Sequence, residues 1–144
     1  MGAKFFGSIA TAMVIAVIIA GLILAGSPAK ERERRFDTQR VNDIAQIASA
    51  IDMYISKNDQ LPASLVELTK PEVARLYSIN SIKDPKTAVE YQYATTGKTS
   101  YQLCATFEQP SVAKSRAMYG DNRGWEHPVG YKCFKLEAVK SGNK

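Results

Sequence analysis

The chain has two cysteines, Cys104 and Cys133, which could form a disulfide bond. Each lies in the middle of a segment that reads as a β-strand, and neighbouring strands can bring such positions within disulfide distance. The bond would close a loop of about 30 residues and contribute roughly 3–4 kcal/mol in the chain-entropy model. The alternative is a pair of reduced, buried cysteines in a cytosolic domain. A zinc site would lack ligands with so few cysteines and histidines. We therefore predict a disulfide.

The single histidine of the chain, His127, stands beside Glu126 in the longest predicted loop, residues 108–129. An imidazole near carboxylates can bind a metal or transfer protons. Because the chain has no catalytic-triad order, phosphate-binding glycine loop or paired-ligand spacing, a structural histidine bonded to loop backbone is the favoured interpretation. Asp121, Asn122 and Glu126 offer oxygen ligands for calcium, but at a spacing that matches no known loop motif. The sequence predicts no cofactor, no metal site and no enzymatic activity.

The N-terminal segment is the most apolar part of the chain. It has no charged residue from Phe5 through Ala29. A helix over residues 5–26 would be about 33 Å long, against about 30 Å for a hydrocarbon core. A cleaved signal peptide is the alternative, but the apolar run exceeds the usual h-region of about 7–15 residues. We expect residues 1–29 to form a transmembrane anchor in a lipid bilayer and residues 30–144 to form one globular domain.

The formal net charge of +5 raises the question of nucleic acid as a partner. Four basic residues between Lys30 and Arg35 follow the apolar run directly, where they would meet anionic headgroups. The others are interspersed with acids and are not paired with stacking aromatics, which argues against nucleic acid. The basic cluster favours a cytoplasmic domain by the positive-inside rule, whereas the disulfide requires an oxidising compartment. We expect a single-pass membrane protein with an extracytoplasmic domain.

After the anchor, apolar residues recur at spacings of three and four, which indicates an amphipathic helix from about Lys30 to Lys57. The side chains expected to pack on a sheet are Val41, Ile44, Ile47, Ile51 and Tyr54. The polar positions between them are expected to face solvent, and they include Asp37, Arg40, Asp43 and Gln46.

Downstream of this helix, Ser64 and Glu67 have the spacing of a capping box that opens a short helix ending at Leu68. Alternating apolar residues then predict strands over residues 89–93, 101–107 and 131–136. A long helix followed by an antiparallel meander predicts an α+β fold. In it, a long N-terminal helix, first transmembrane and then amphipathic, packs on a small antiparallel β-meander.

Several short motifs occur in one order: Arg40–Tyr54 on the helix, Leu61–Leu65 at its exit, Asp84-Pro85, and Tyr91–Tyr93. In this order they resemble the major pseudopilins of type II secretion and related type IV pilin-like proteins. The resemblance covers about residues 30 to 108. It implies a pilin-like fold in which the N-terminal helix packs in a filament core and the globular domain faces outward.

The N-terminus departs from the prepilin pattern of a glycine before the mature first residue, usually Phe, and a glutamate four positions after it. Here Phe5 follows Lys4, and Ile9 stands at the later position. The segment 125–134 resembles the ending of small uncharacterised membrane-anchored bacterial proteins. The implied function is a membrane-anchored structural subunit or accessory of a cell-surface filament or secretion system, self-assembling through its N-terminal helix or joining other pilin-like subunits. The alternative is a monomeric single-pass protein whose extracytoplasmic domain binds a partner.

Overall fold

A computed structural model describes residues 2–24, 27–71, 79–111 and 123–140 of the chain. The elements in chain order are helix α1 (Gly2–Leu24), helix α2 (Pro28–Asn58), a 3₁₀ helix (Leu65–Thr69) and strands β1 (Gln92–Thr95), β2 (Ser100–Phe107) and β3 (Gly130–Glu137). They fall into two compact units, Met1–Glu33 and Arg34–Lys144. Helix and antiparallel sheet together make the fold α+β, as predicted.

The membrane span predicted over residues 1–29 is contradicted. Within the described ranges, no helix combines the length and the apolarity needed to cross a bilayer. A span requires about 20 consecutive apolar residues. Helix α2 carries charged residues from Lys30 onward. The prediction of a single-pass membrane location is corrected accordingly.

Helix α2 has clear physical reasons for both of its ends. It begins at Pro28, where the missing proline N–H leaves no hydrogen bond unmade because first-turn amides have no intrahelical partner. It ends at Asn58, and the next residue, Asp59, has a left-handed backbone with φ of 60°. The Asp59 N–H still donates to the Ile55 carbonyl at 2.9 Å, which closes the last turn. The helix predicted over residues 30–57 is thus present with slightly wider bounds.

Strands β1, β2 and β3 form an antiparallel sheet in sequence order. The strand predicted to begin at residue 89 begins instead at Gln92. Val89 is 65% exposed, and the preceding residues pair elsewhere: Asp84 N–H donates to the Val89 carbonyl and Tyr91 N–H to the Ile82 carbonyl. The backbone groups of Val89 and Tyr91, which the alternation pattern predicted to pair within the sheet, therefore bond to residues 82–84 across a short loop.

The predicted capping box does not form. The Ser64 side chain makes no capping hydrogen bond, and the element that follows is the 3₁₀ helix rather than an α-helix. The Glu67 carboxylate accepts hydrogen bonds from the Ala63 N–H at 3.1 Å and the Tyr54 hydroxyl at 3.0 Å. Glu67 thereby links this turn to α2. Its carboxylate is engaged by Tyr54 and Ala63, which explains why Glu67 does not form the predicted capping box with Ser64.

The hydrophobic core of Arg34–Lys144 contains the apolar stripe of α2 and the inner face of the sheet. Of the residues predicted to pack on the sheet, Val41, Ile44, Ile47 and Ile51 are buried and Tyr54 is partly buried against this core. The sheet contributes Tyr101, Leu103, Phe107 and Phe134, and Trp125 meets Phe134 edge-to-face with ring centroids 5.2 Å apart.

Candidate functional site

The structure joins Cys104 and Cys133 in a disulfide, as predicted. The two residues stand directly opposite each other on β2 and β3, with Cα atoms 4.0 Å apart. Side chains alternate along a strand, and the flanking Leu103 and Phe134 belong to the core. The bond therefore lies on the sheet face turned away from α2, where it ties the two strands without occupying core volume.

Replacing both cysteines by alanine should lower the free energy of unfolding by roughly 3–4 kcal/mol, because the unfolded chain regains the freedom of the closed loop. Urea denaturation of the native and double-variant proteins measures the difference. Thiol labelling of unreduced, denatured native protein should detect no free thiol. Full labelling of protein alkylated directly on cell lysis, or equal stability of the double variant, would contradict a stabilising bond.

Of the weak calcium candidates, only Glu126 lies within the described residues. Asp121 and Asn122 lie outside the described ranges, and Glu126 is exposed. Within the part of the chain that the structure describes, no cluster of three or more His, Cys, Asp or Glu side chains has the geometry to hold a metal ion.

His127 is buried and stacks on Phe107 with ring centroids 3.6 Å apart. Its backbone pairs with Ser111 in both directions, at 3.0 and 3.1 Å, and its Nδ1 lies 3.4 Å from the Pro128 carbonyl oxygen. Burial lowers the pKa of His127, so the ring is neutral near pH 7. These contacts join Phe107 and Ser111, at the start of the loop, to His127 near its end. The described contacts of the histidine are packing and backbone hydrogen bonds.

An ion cluster that the sequence analysis placed on the solvent face is instead buried. The Arg40 guanidinium donates to Asp84 through Nε at 2.6 Å and to Asp37 through Nη1 at 2.7 Å. Burial opposes ionisation of Asp84, but hydrogen bonds from Arg40 and from the backbone N–H groups of Thr87 and Lys86 outweigh it and lower the Asp84 pKa to about 2. Arg40 and Asp84 therefore form a charged pair.

Asp37 extends this cluster to the end of β2. Its carboxylate accepts the backbone N–H groups of Glu108 at 3.0 Å and Gln109 at 2.7 Å. One ion cluster thus holds α2, the loop that begins at Asp84 and the residues after β2 in register. The available sequence signal was the pair of opposite charges three apart on α2, which by itself is equally typical of a solvent-exposed face.

Asp43 is a second buried acid on α2, with 2% of its surface exposed. Its Oδ2 accepts the Tyr91 hydroxyl at 3.0 Å. Burial raises the pKa of Asp43 to about 6, with a smaller contribution from the negative charge of Asp84 and an opposing one from the Tyr91 hydrogen bond. Burial also raises the pKa of Tyr91, which stays protonated as the donor. Asp43 is the least stabilised carboxylate of the cluster.

Asp43→Asn should raise the melting temperature at pH 7.5 and leave it nearly unchanged at pH 4. The folded-state pKa of about 6 lies above the ordinary 3.8, so the folded state binds the extra proton and its stability falls as pH rises from about 4 to 6. An asparagine carbonyl still accepts the Tyr91 hydroxyl without this loss. The expected gain is on the order of 2 kcal/mol at pH 7.5.

Calorimetric melting curves at both pH values measure the effect, with Asp59→Asn at the exposed end of α2 as the matched control. A destabilised Asp43→Asn protein at pH 7.5 would contradict the assignment of an unfavourable buried charge.

Helix α1 presents apolar side chains on its whole circumference. The exposed ones are Phe6, Ile9, Met13, Val14, Ile15, Val17, Ile18 and Ile19. At about 100° per residue these positions are distributed around the helix rather than along one face. A helix that is apolar all round is normally buried, and a large exposed apolar surface marks an interaction site. We refer to these eight residues as the α1 surface.

No protein-family model, curated protein or solved structure matches the chain.

Proposed function

We propose that this protein is a pilin- or pseudopilin-like structural subunit, or an accessory subunit, of a filament or secretion apparatus, and that it assembles through α1. The observation that carries the proposal is the α1 surface. Exposing eight large apolar side chains on one helix is unfavourable in water, at roughly 25 cal/mol per Å². Burying them against other subunits removes that cost.

The distribution of the α1 surface indicates how many neighbours the helix needs. A single partner helix covers only one side of α1. A dimer that buried Ile9 and Met13 would leave Val14 and Ile18 in water, and a dimer that buried Val14 and Ile18 would leave Ile9 and Met13 in water. Several neighbouring helices are required to cover the circumference. Copies of α1, or equivalent helices of related subunits, supply such neighbours in a helical core. This requirement supports a filament or higher oligomer over a monomer.

The globular unit supports the same proposal through the residues on which the pilin-like resemblance rests. Tyr54 binds Glu67, Asp84 binds Arg40, and Tyr91 binds Asp43, so each motif residue has a partner that connects α2 with the segments after it. A long helix with a small antiparallel sheet packed on its apolar stripe suits a subunit displayed around a helical core.

Val17→Asp in the full-length chain should abolish assembly, because the side chain is 68% exposed in the isolated subunit and would carry an unpaired charge into the core. The matched control is Val89→Asp, an equally exposed valine of the globular unit. Sedimentation velocity and negative-stain electron microscopy compare the proteins. The native chain and Val89→Asp should form assemblies of three or more copies, and Val17→Asp should remain a monomer with an unchanged melting temperature.

A native chain that sediments as a monomer at micromolar concentration would overturn the proposal. Equal assembly of Val17→Asp and Val89→Asp would also overturn it, since the contacts would then lie outside α1.

A further inference from the structure

A polar cleft of about 400 Å³ opens beside Asp43 on α2. Its walls include the amide side chains of Asn42 and Gln46 and the residue Asn80, whose N–H donates to Gln46 Oε1 at 3.1 Å. Among the described residues of the lining, Asp43 is the only acid. We refer to this feature as the Asp43 cleft. It lies entirely within the unit Arg34–Lys144.

The Asp43 carboxylate makes one hydrogen bond with the described part of the chain. Oδ2 accepts the Tyr91 hydroxyl, and no described residue donates to Oδ1. The nearest cation along the helix, Arg40, is directed to Asp37 and Asp84. A buried acid with a neutral donor on one oxygen and an open cleft at the other is the arrangement in which an external cation gains most.

The charged groups around Asp43 also favour the binding of a cation. Asp37, Asp43 and Asp84 are three acids beside one base, Arg40. Asp37 and Asp84 each accept two backbone N–H groups, whereas no described backbone N–H donates to Asp43. The unbalanced charge is therefore concentrated at Asp43, next to the cleft.

The geometry selects the kind of cation. A guanidinium binds best by donating to both oxygens of a carboxylate, and Tyr91 already occupies one of them. A hard divalent ion takes six or more oxygens and usually several carboxylates. An ammonium group needs one carboxylate oxygen and can place another proton on an amide oxygen, such as Gln46 Oε1 in the lining, which has a second lone pair beside its bond from the Asn80 N–H.

We propose that the Asp43 cleft binds the ammonium group of a lysine side chain presented by a partner protein. The ammonium donates to Asp43 Oδ1 and to Gln46 Oε1, while its aliphatic stem lies in the open part. Arg35, the cation among the described residues of the lining, is eight residues from Asp43, which is about 12 Å along the helix axis. This inference goes beyond assembly through α1 and does not depend on it.

The test uses a dye-labelled peptide, Gly-Gly-Lys-Gly-Gly, titrated with the full-length chain and followed by fluorescence anisotropy at pH 7.5. Peptides with acetyl-lysine or arginine in place of lysine are the chemical controls. The lysine peptide should bind saturably, acetyl-lysine should abolish binding, and arginine should weaken it at least threefold. Because these arms use the native protein, they do not depend on the folding of a variant.

Asp43→Asn should weaken lysine-peptide binding at least tenfold, since it removes the charge and keeps an acceptor for Tyr91. Asp59→Asn removes an exposed acid of equal charge, which pairs with Lys140, and should bind like the native chain. Equal binding of the lysine and acetyl-lysine peptides, equal binding by Asp43→Asn, or no saturable binding would each overturn the proposal.

Discussion

Ile47→Asp should abolish the cooperative unfolding transition of the globular unit. Ile47 has no exposed surface and lies at the centre of the α2 stripe within the hydrophobic core. The variant loses the packing of an isoleucine and buries a carboxylate without a partner, a combined cost of at least about 4 kcal/mol. A domain of this size has a total stability of about 5–15 kcal/mol. Thermal denaturation followed by circular dichroism should show loss of the transition.

The matched control is Met53→Asp on the same helix, where the side chain is 42% exposed and the added charge stays in water. It should change the melting temperature by only a few degrees. A native-like transition for Ile47→Asp would show that the α2 stripe does not form the core of this unit.

Arg40→Met should destabilise the protein by about 3–5 kcal/mol at pH 7, because it leaves Asp37 and Asp84 as buried charges without their cation. The pKa of Asp84, about 2 in the native protein, should rise in the variant. The stabilisation from this group is present above its unfolded value near 4 and is lost as pH falls toward 2. The stability difference between native and variant proteins should therefore narrow over that range.

Urea denaturation at pH 7 and pH 3 measures this effect. Lys57→Met, which removes an exposed cation from the last turn of α2, is the control and should cost less than about 1 kcal/mol. Arg40→Lys should fall between the two, because an ammonium cannot donate to both aspartates in the geometry of a guanidinium. A stability loss for Arg40→Met equal to that of Lys57→Met would contradict a structural role for the cluster.

Elements that depend on local pattern could be predicted from the sequence. The spacing of Val41, Ile44, Ile47 and Ile51 specifies one apolar helix face, and the helix is found with ends two residues and one residue beyond the predicted bounds. Strict alternation around Cys104 and Cys133 specifies β2 and β3, and with them the disulfide. Periodicity of this kind is a property of neighbouring residues, so it can be read without knowing the tertiary structure.

The failures occur where a residue's partner is distant in sequence. Asp37, Arg40 and Asp43 have the spacing of a solvent-exposed face, yet they are buried because Asp84 and Tyr91, more than 40 positions later, reach them. Glu67 has capping-box spacing but binds Tyr54 instead. The apolar composition of residues 5–26 indicated a membrane span, and the described helices do not meet that criterion. Sequence alone thus determined helix α2 with its apolar stripe and strands β2 and β3. Only the tertiary structure decided which charges are buried, because the free energy of burying a charge depends on the partners that the fold brings to it.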